Sequence, residues 1–107
     1  MAKLEKTITG DFNSLVHRIE DGIISGSISA SLEDSSDFYI GDTRCSVRVF
    51  ERYSYMGKNR VSLNVTLFGN GDTIHISAIT SGGSQAMFFK INTFGEEAFL
   101  DKLCEIL

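Results

Sequence analysis

Apolar positions along this chain follow two rhythms. Phe12, Leu15, Val16, Ile19 and Ile23 recur at spacings of three and four, the stripe of an amphipathic helix. Asp11 stands where an N-cap belongs and Gly26 where such a helix stops. His17 falls on the polar side of that helix. A second stripe, Phe99, Leu100, Leu103, Cys104 and Leu107, ends the sequence, with Glu97, Asp101 and Glu105 on its solvated side. Thr93 and Glu96 have the spacing of a capping box, which predicts that this helix begins just after Thr93.

Between the stripes the period drops to two, the signature of strands. Residues 3–9 alternate weakly and predict a short strand. Residues 27–33 send Ile28, Ala30 and Leu32 one way and three serines the other. The stretch EDSSDFYIGD reads as a polar loop with an apolar insert. Three long strand-like runs follow, TRCSVRVFERYSY, NRVSLNVTLFG and DTIHISAITS, and then a shorter one, QAMFFKIN.

Turn chemistry sets the expected register. A two-residue turn at Asn70-Gly71 places Leu67 opposite Ile74, Val65 opposite Ile76 and Leu63 opposite Ala78. A similar turn at Gly82-Gly83 places Ala78 opposite Met87 and Ile76 opposite Phe89. Both put the same side of the middle strand on the core, and a one-residue slip in either would break the match. A turn at Gly57-Lys58-Asn59 sets Tyr53 against Leu63 and Val49 against Leu67, which turns Cys45, Val47 and Val49 inward. This last register leaves one misfit. Glu51 falls opposite Val65, a costly place for an unpaired carboxylate unless a bulge or a basic partner relieves it.

These elements predict one α+β domain over residues 1–107. It is an antiparallel β-sheet with two helices on one face, in β-α-β5-α order, a layout similar to the TBP-like and helix-grip folds. The similarity is topological and implies no activity.

The side of the sheet away from the helices is expected to carry Arg44, Arg48, Phe50, Arg52, Asn64, His75 and Lys90, and these form the candidate binding face. Phe68, Ile79 and Phe88 are expected beside them. Arginine among exposed aromatics suits an interface, so contact with a second copy or a protein partner is the leading expectation. The alternative on the same face is an anionic, phosphate-bearing small molecule held by guanidinium groups. A third reading is a hydrophobic ligand between the last helix and the sheet, where large side chains instead predict a filled core. Ser81, Gly82, Gly83 and Ser84 read as a hairpin tip, and more weakly as an anion-holding loop. A strand rather than a helix is expected after them and no GK[ST] is present, so they do not form a nucleotide loop.

Charge and rare residues narrow the classes further. The 107 residues carry a net charge of −4, with bases gathered between Arg44 and Arg60 and acids elsewhere. That balance and the absence of an RNP-type run argue against nucleic acid. No apolar run nears the ~20 residues of a membrane span, and the N-terminal stretch lacks an apolar signal region. Cys45 and Cys104 fall at apolar-phase positions and read as reduced core thiols, which points to the cytoplasm. With only two histidines a metal site has little support, and no cofactor motif is present. The expected register puts Cys45 and His75 on opposite faces, and Ser77 and His75 share a strand without an orienting Asp. The chain is therefore expected not to be an enzyme.

The stretches VRVFERYSY, NRVSLNVTLFG and SAITSGGSQAMFFKINTFGEEAFLDKL resemble a family of small bacterial proteins of unknown function. The resemblance covers nearly the whole chain. It implies a soluble bacterial protein and assigns no residue a role.

Overall fold

The computed structural model describes residues 2–54, 59–82 and 89–107, with the side chains of Ser54 and of 89–95 outside that description. Strand β1 (Ala2–Thr9) leads into helix α1 (Phe12–Ser25). Four strands follow, β2 (Ser31–Ile40), β3 (Thr43–Ser54), β4 (Asn59–Asn70) and β5 (Thr73–Gly82), and then helix α2 (Phe89–Ile106). The strands form one antiparallel sheet in the order β1-β5-β4-β3-β2.

Helix α1 forms as its pattern dictates. The Asp11 carboxylate accepts from the Ser14 N–H at 2.9 Å, and the Gly26 N–H reaches the Gly22 carbonyl at 3.0 Å. Leu15, Val16, Ile19 and Ile23 are all buried. They join Val61, Leu63, Val65, Leu67, Ile74, Ile76 and Ala78 of the sheet and Phe99 and Leu103 of α2 in one core. Each fully buried side chain of this size contributes roughly 1.5–3 kcal/mol over leaving it in water.

The hairpin between β4 and β5 turns one position later than expected. Asn70 pairs with Thr73, and Gly71 occupies the left-handed region at φ +63°. Leu67 therefore faces Ile76 rather than Ile74. That slip is an even number of residues, so every side chain keeps its expected face.

Among the described residues the sheet has five strands. The first half of the expected QAMFFKIN strand lies outside the described residues, and its second half, from Phe89 onward, belongs to α2. The place beside β5 is taken by β1, which pairs along its length, with Leu4 opposite Ala78 and Ile8 opposite Ile74. Gly83 and Met87 of the expected Gly82-Gly83 hairpin lie outside the described residues, and Ala78 pairs with Leu4 and Val65. Helix α2 also starts before Thr93, so the proposed cap residue lies inside the helix. Cys104 is exposed rather than part of the buried stripe.

The polar stretch after α1 is a strand rather than a loop. Residues Ser31–Ile40 form the edge strand β2, with a register shift between Leu32 and Asp34. Ile28 precedes it and is fully exposed, and Leu32 is half-exposed. Glu33, Asp34 and Asp37 lie along this edge, where charge deters pairing with another sheet.

Candidate interaction face

Strand β3 decides which chemistry faces the solvent. Its pairing with β4 sets Arg48 opposite Val65, Phe50 opposite Leu63 and Arg52 opposite Val61. The expected register differs from this by three positions, an odd number, so the whole strand is inverted. Arg44, Arg48, Phe50 and Arg52 therefore lie on the helix-covered side, and Cys45, Val47, Val49 and Glu51 on the open side. The misplaced carboxylate is resolved at the same time. Glu51 pairs across to Ser62 and accepts from Arg60 Nε at 2.9 Å.

The covered arginines are held by structure rather than left for a ligand. Arg48 is 7% exposed. Its Nε donates to Glu20 Oε2 of α1 at 2.7 Å, and its Nη2 lies 3.1 Å from Asp37 Oδ2 of β2. Its Nη1 donates to the Val47 carbonyl at 3.0 Å. Burial disfavours the Arg48 charge, but the Glu20 and Asp37 carboxylates outweigh it and hold its pKa above the ordinary value. The Ser46 hydroxyl donates to Asp37, and with Arg48 and Arg44 beside it that carboxyl is held below its usual range despite some burial. Arg44 stacks on Phe12 of α1, 4.3 Å from the ring centre, and donates to Asn13. The long arginine stems thus fill the space between sheet and α1 while their heads meet acids at the rim.

Arg52 differs from these two. Its guanidinium stacks on Phe99 at 4.6 Å, burial lowers its pKa, and no carboxylate pairs with it among the described residues. Phe50, expected outside, is fully buried between β2 and β4 partners Leu32 and Leu63.

Two of the expected face residues are on the open side. Asn64 and His75 are exposed there, with His75 Nδ1 3.0 Å from Thr7 Oγ1. Lys90 falls within α2, and its side chain lies outside the described residues, as do Gly83 and Ser84. Ser81 and Gly82 close β5, with Ser81 Oγ 2.8 Å from Ser62 Oγ. Cys45 and His75 share the open side, contrary to the sequence expectation. They flank Phe68, each pairing with it from opposite neighbours, so a strand separates them.

The open side is consequently more apolar than the sequence suggested. Phe38, Ile40, Tyr53, Phe68 and Ile79 expose 39–78% of their surfaces on it. Cys45, Val47 and Val49 lie half-buried between them. A shallow hollow of about 220 Å³ is lined by Phe38, Ile40, Thr43, Cys45 and Phe68. A smaller one of about 130 Å³ lies among Asp34, Ser36, Val47 and Val49. No group of three or more potential metal ligands occurs among the described residues, and no described helix is long and apolar enough to cross a membrane.

One signal for this arrangement was present in the sequence. Gly-Asp-Thr occurs at 41–43 and again at 71–73, and both copies turn a hairpin with the glycine at positive φ, +59° and +63°. The first copy marks the β2–β3 hairpin, and with it the partner strand that carries Phe38 and Asp37.

The fold and its open face define a two-layer α+β protein: a five-stranded antiparallel sheet with both helices on one side. The chain belongs to the family of unknown function DUF6054, whose model matches residues 1–107. No curated protein and no solved structure matches it.

Proposed function

We propose that the protein works by contact rather than by catalysis, binding a protein surface through the open side of its sheet. The observation that carries this is the run of Phe38, Cys45, Val47, Val49, Phe68 and Ile79 on a side that neither helix covers. Antiparallel sheets with one solvated side usually alternate apolar-in and polar-out. Strand β3 inverts that habit, placing arginines inward and valines outward. Apolar patches of this kind mark interaction sites. The proposal sets the protein in the cytoplasm, where free Cys45 and Cys104 suit a reducing compartment.

Site-specific photo-cross-linking in the native host tests the reading. A photoreactive residue in place of Val49 is expected to give discrete protein adducts. The same residue at Asp101, exposed on α2, is expected to give none. No discrete adduct from Val49, or equal labelling from both sites, overturns the proposal.

A second reading rests on Arg52 alone. A half-buried guanidinium stacked on an aromatic ring, with no paired carboxylate among the described residues, is suited to an anionic, phosphate-bearing ligand. Inorganic phosphate would then raise the melting temperature of the wild type and not of Arg52→Ala. Equal response in both proteins removes this reading. The proposed ligand pocket between α2 and the sheet has less support, since Phe99 and Leu103 are fully buried in the core there.

A further inference from the structure

Going one step beyond the contact reading, and resting on it, we infer that the open face takes a second copy of the same chain, stacked about a two-fold axis that runs along β4. The pairing of strands arranges this face as rows. One row runs Lys3, Ile79, Asn64, Val49, Asp34 from β1 to β2. The next runs Glu5, Ser77, Thr66, Val47, Ser36, and the third Thr7, His75, Phe68, Cys45, Phe38. Strand β4 is the middle of the five. A two-fold axis parallel to it returns each row onto itself in reverse order.

The consequences are chemically consistent. Lys3 of one copy meets Asp34 of the other, at both ends of the row. Ile79 meets Val49, and Phe68 meets its own copy at the axis. Asn64 and Thr66 also meet themselves, and their side chains can both donate and accept. Stacked sheets cross at about 30°, which this symmetry gives when the axis lies about 15° from the direction of β4, so pairs near the centre stay close and the long Lys3 side chain bridges the corner. The Lys3 and Glu5 carboxylate of one copy are already 3.9 Å apart, which keeps that ammonium on this face.

The other in-plane axis, perpendicular to the strands, is disfavoured by the same rows. It sets Glu5 against its own copy, a like-charge contact, and Asp34 against Phe38, a carboxylate on an aromatic ring. Size also fits. Five strands about 4.8 Å apart and about ten residues long present roughly 800 Å² per copy, the amount a standard stable interface covers on each side.

Two measurements test the inference. Sedimentation of the wild type at tens of micromolar should give twice the chain mass. Lys3→Glu or Asp34→Lys should each weaken association about tenfold, since symmetry removes two pairs at once, and the double charge swap should restore it. The axis is read by cross-linking in a chain whose Cys45 and Cys104 are replaced by serine. Stacked sheets are ~10 Å apart, too far for a direct disulfide, so a short bismaleimide is the probe. Asn64→Cys should cross-link to its own copy, and Ser36→Cys, roughly 20 Å from its copy across four strand spacings, should not. A dimer that cross-links through Ser36→Cys instead overturns the axis. A wild type that stays monomeric overturns the inference as a whole, and photo-cross-linking from Val49 to a different protein would then leave the contact reading standing without it.

Discussion

Arg48 on β3 and Glu20 on α1 meet at 2.7 Å beneath the first helix, the only place where that helix is tied to the sheet by an ion pair among the described residues. Their meeting fixes the face of β3. With Arg48 directed at Glu20 and Asp37, the residues on either side of it, Val47 and Val49, must point to the opposite surface. The apolar open face and the buried ion pair are two aspects of one register.

Removing the arginine should cost more than removing one acid. Arg48→Ala leaves the Glu20 and Asp37 carboxylates facing each other without their shared cation, and truncation also empties the space its stem fills. We expect a loss of about 2–4 kcal/mol, measured by urea unfolding, against about 1 kcal/mol for the partly exposed Glu20→Ala. A double-mutant cycle on the two should return a coupling above about 0.5 kcal/mol. A coupling near zero would mean the pair does not set the register.

Acid should weaken the same cluster. The Ser46 hydroxyl first, then Arg48 and Arg44, hold the Asp37 carboxyl below its ordinary 3.8. A folded value below the unfolded one means that Asp37 stabilises above pH 3.8 and ceases to do so as pH falls through its folded value. Asp37→Asn should therefore melt below the wild type at neutral pH, and the two melting curves should converge in strong acid. A difference that is constant with pH would assign the effect to lost hydrogen bonds alone.

Helix α1 sits so close to β4 that one hydrogen matters. A Cβ on Gly69 would stand 2.6 Å from the Phe12 ring. Gly69→Ala should destabilise by about 1–3 kcal/mol through overpacking, and Phe12→Leu in the same chain should recover part of it. If Gly69→Ala is neutral, α1 does not approach β4 as closely as described.

Much of this fold was legible in the chain. The α1 stripe and its caps are local, and the Val61–Leu67 and Ile74–Thr80 alternations survive a two-residue slip because the period is two. Strand β1 was legible as a strand, but its partner was not, since Leu4 reaches Ala78 across most of the sequence. The face of β3 was the element that pattern misjudged. Hydrophobicity sends Cys45, Val47 and Val49 inward, and only the partners of Arg48, contributed by α1 and by the polar edge strand β2, reverse that. Glu51 carried the warning, because a lone acid opposite Val65 fits one register poorly and the true one well. The candidate face followed the same strand, so Asn64 and His75 were placed correctly and the arginines were not.

The open face should be separable from stability. Val47 is half-buried there and belongs neither to the core cluster nor to the side chains packed against it, so Val47→Lys should change the melting temperature by only a few degrees. Its effect on association is the most direct measure of what the face is for. Sedimentation at matched concentrations should give a dimer for the wild type and a folded monomer for Val47→Lys. A wild type at the mass of one chain, or a Val47→Lys protein that associates as strongly as the wild type, would contradict the account.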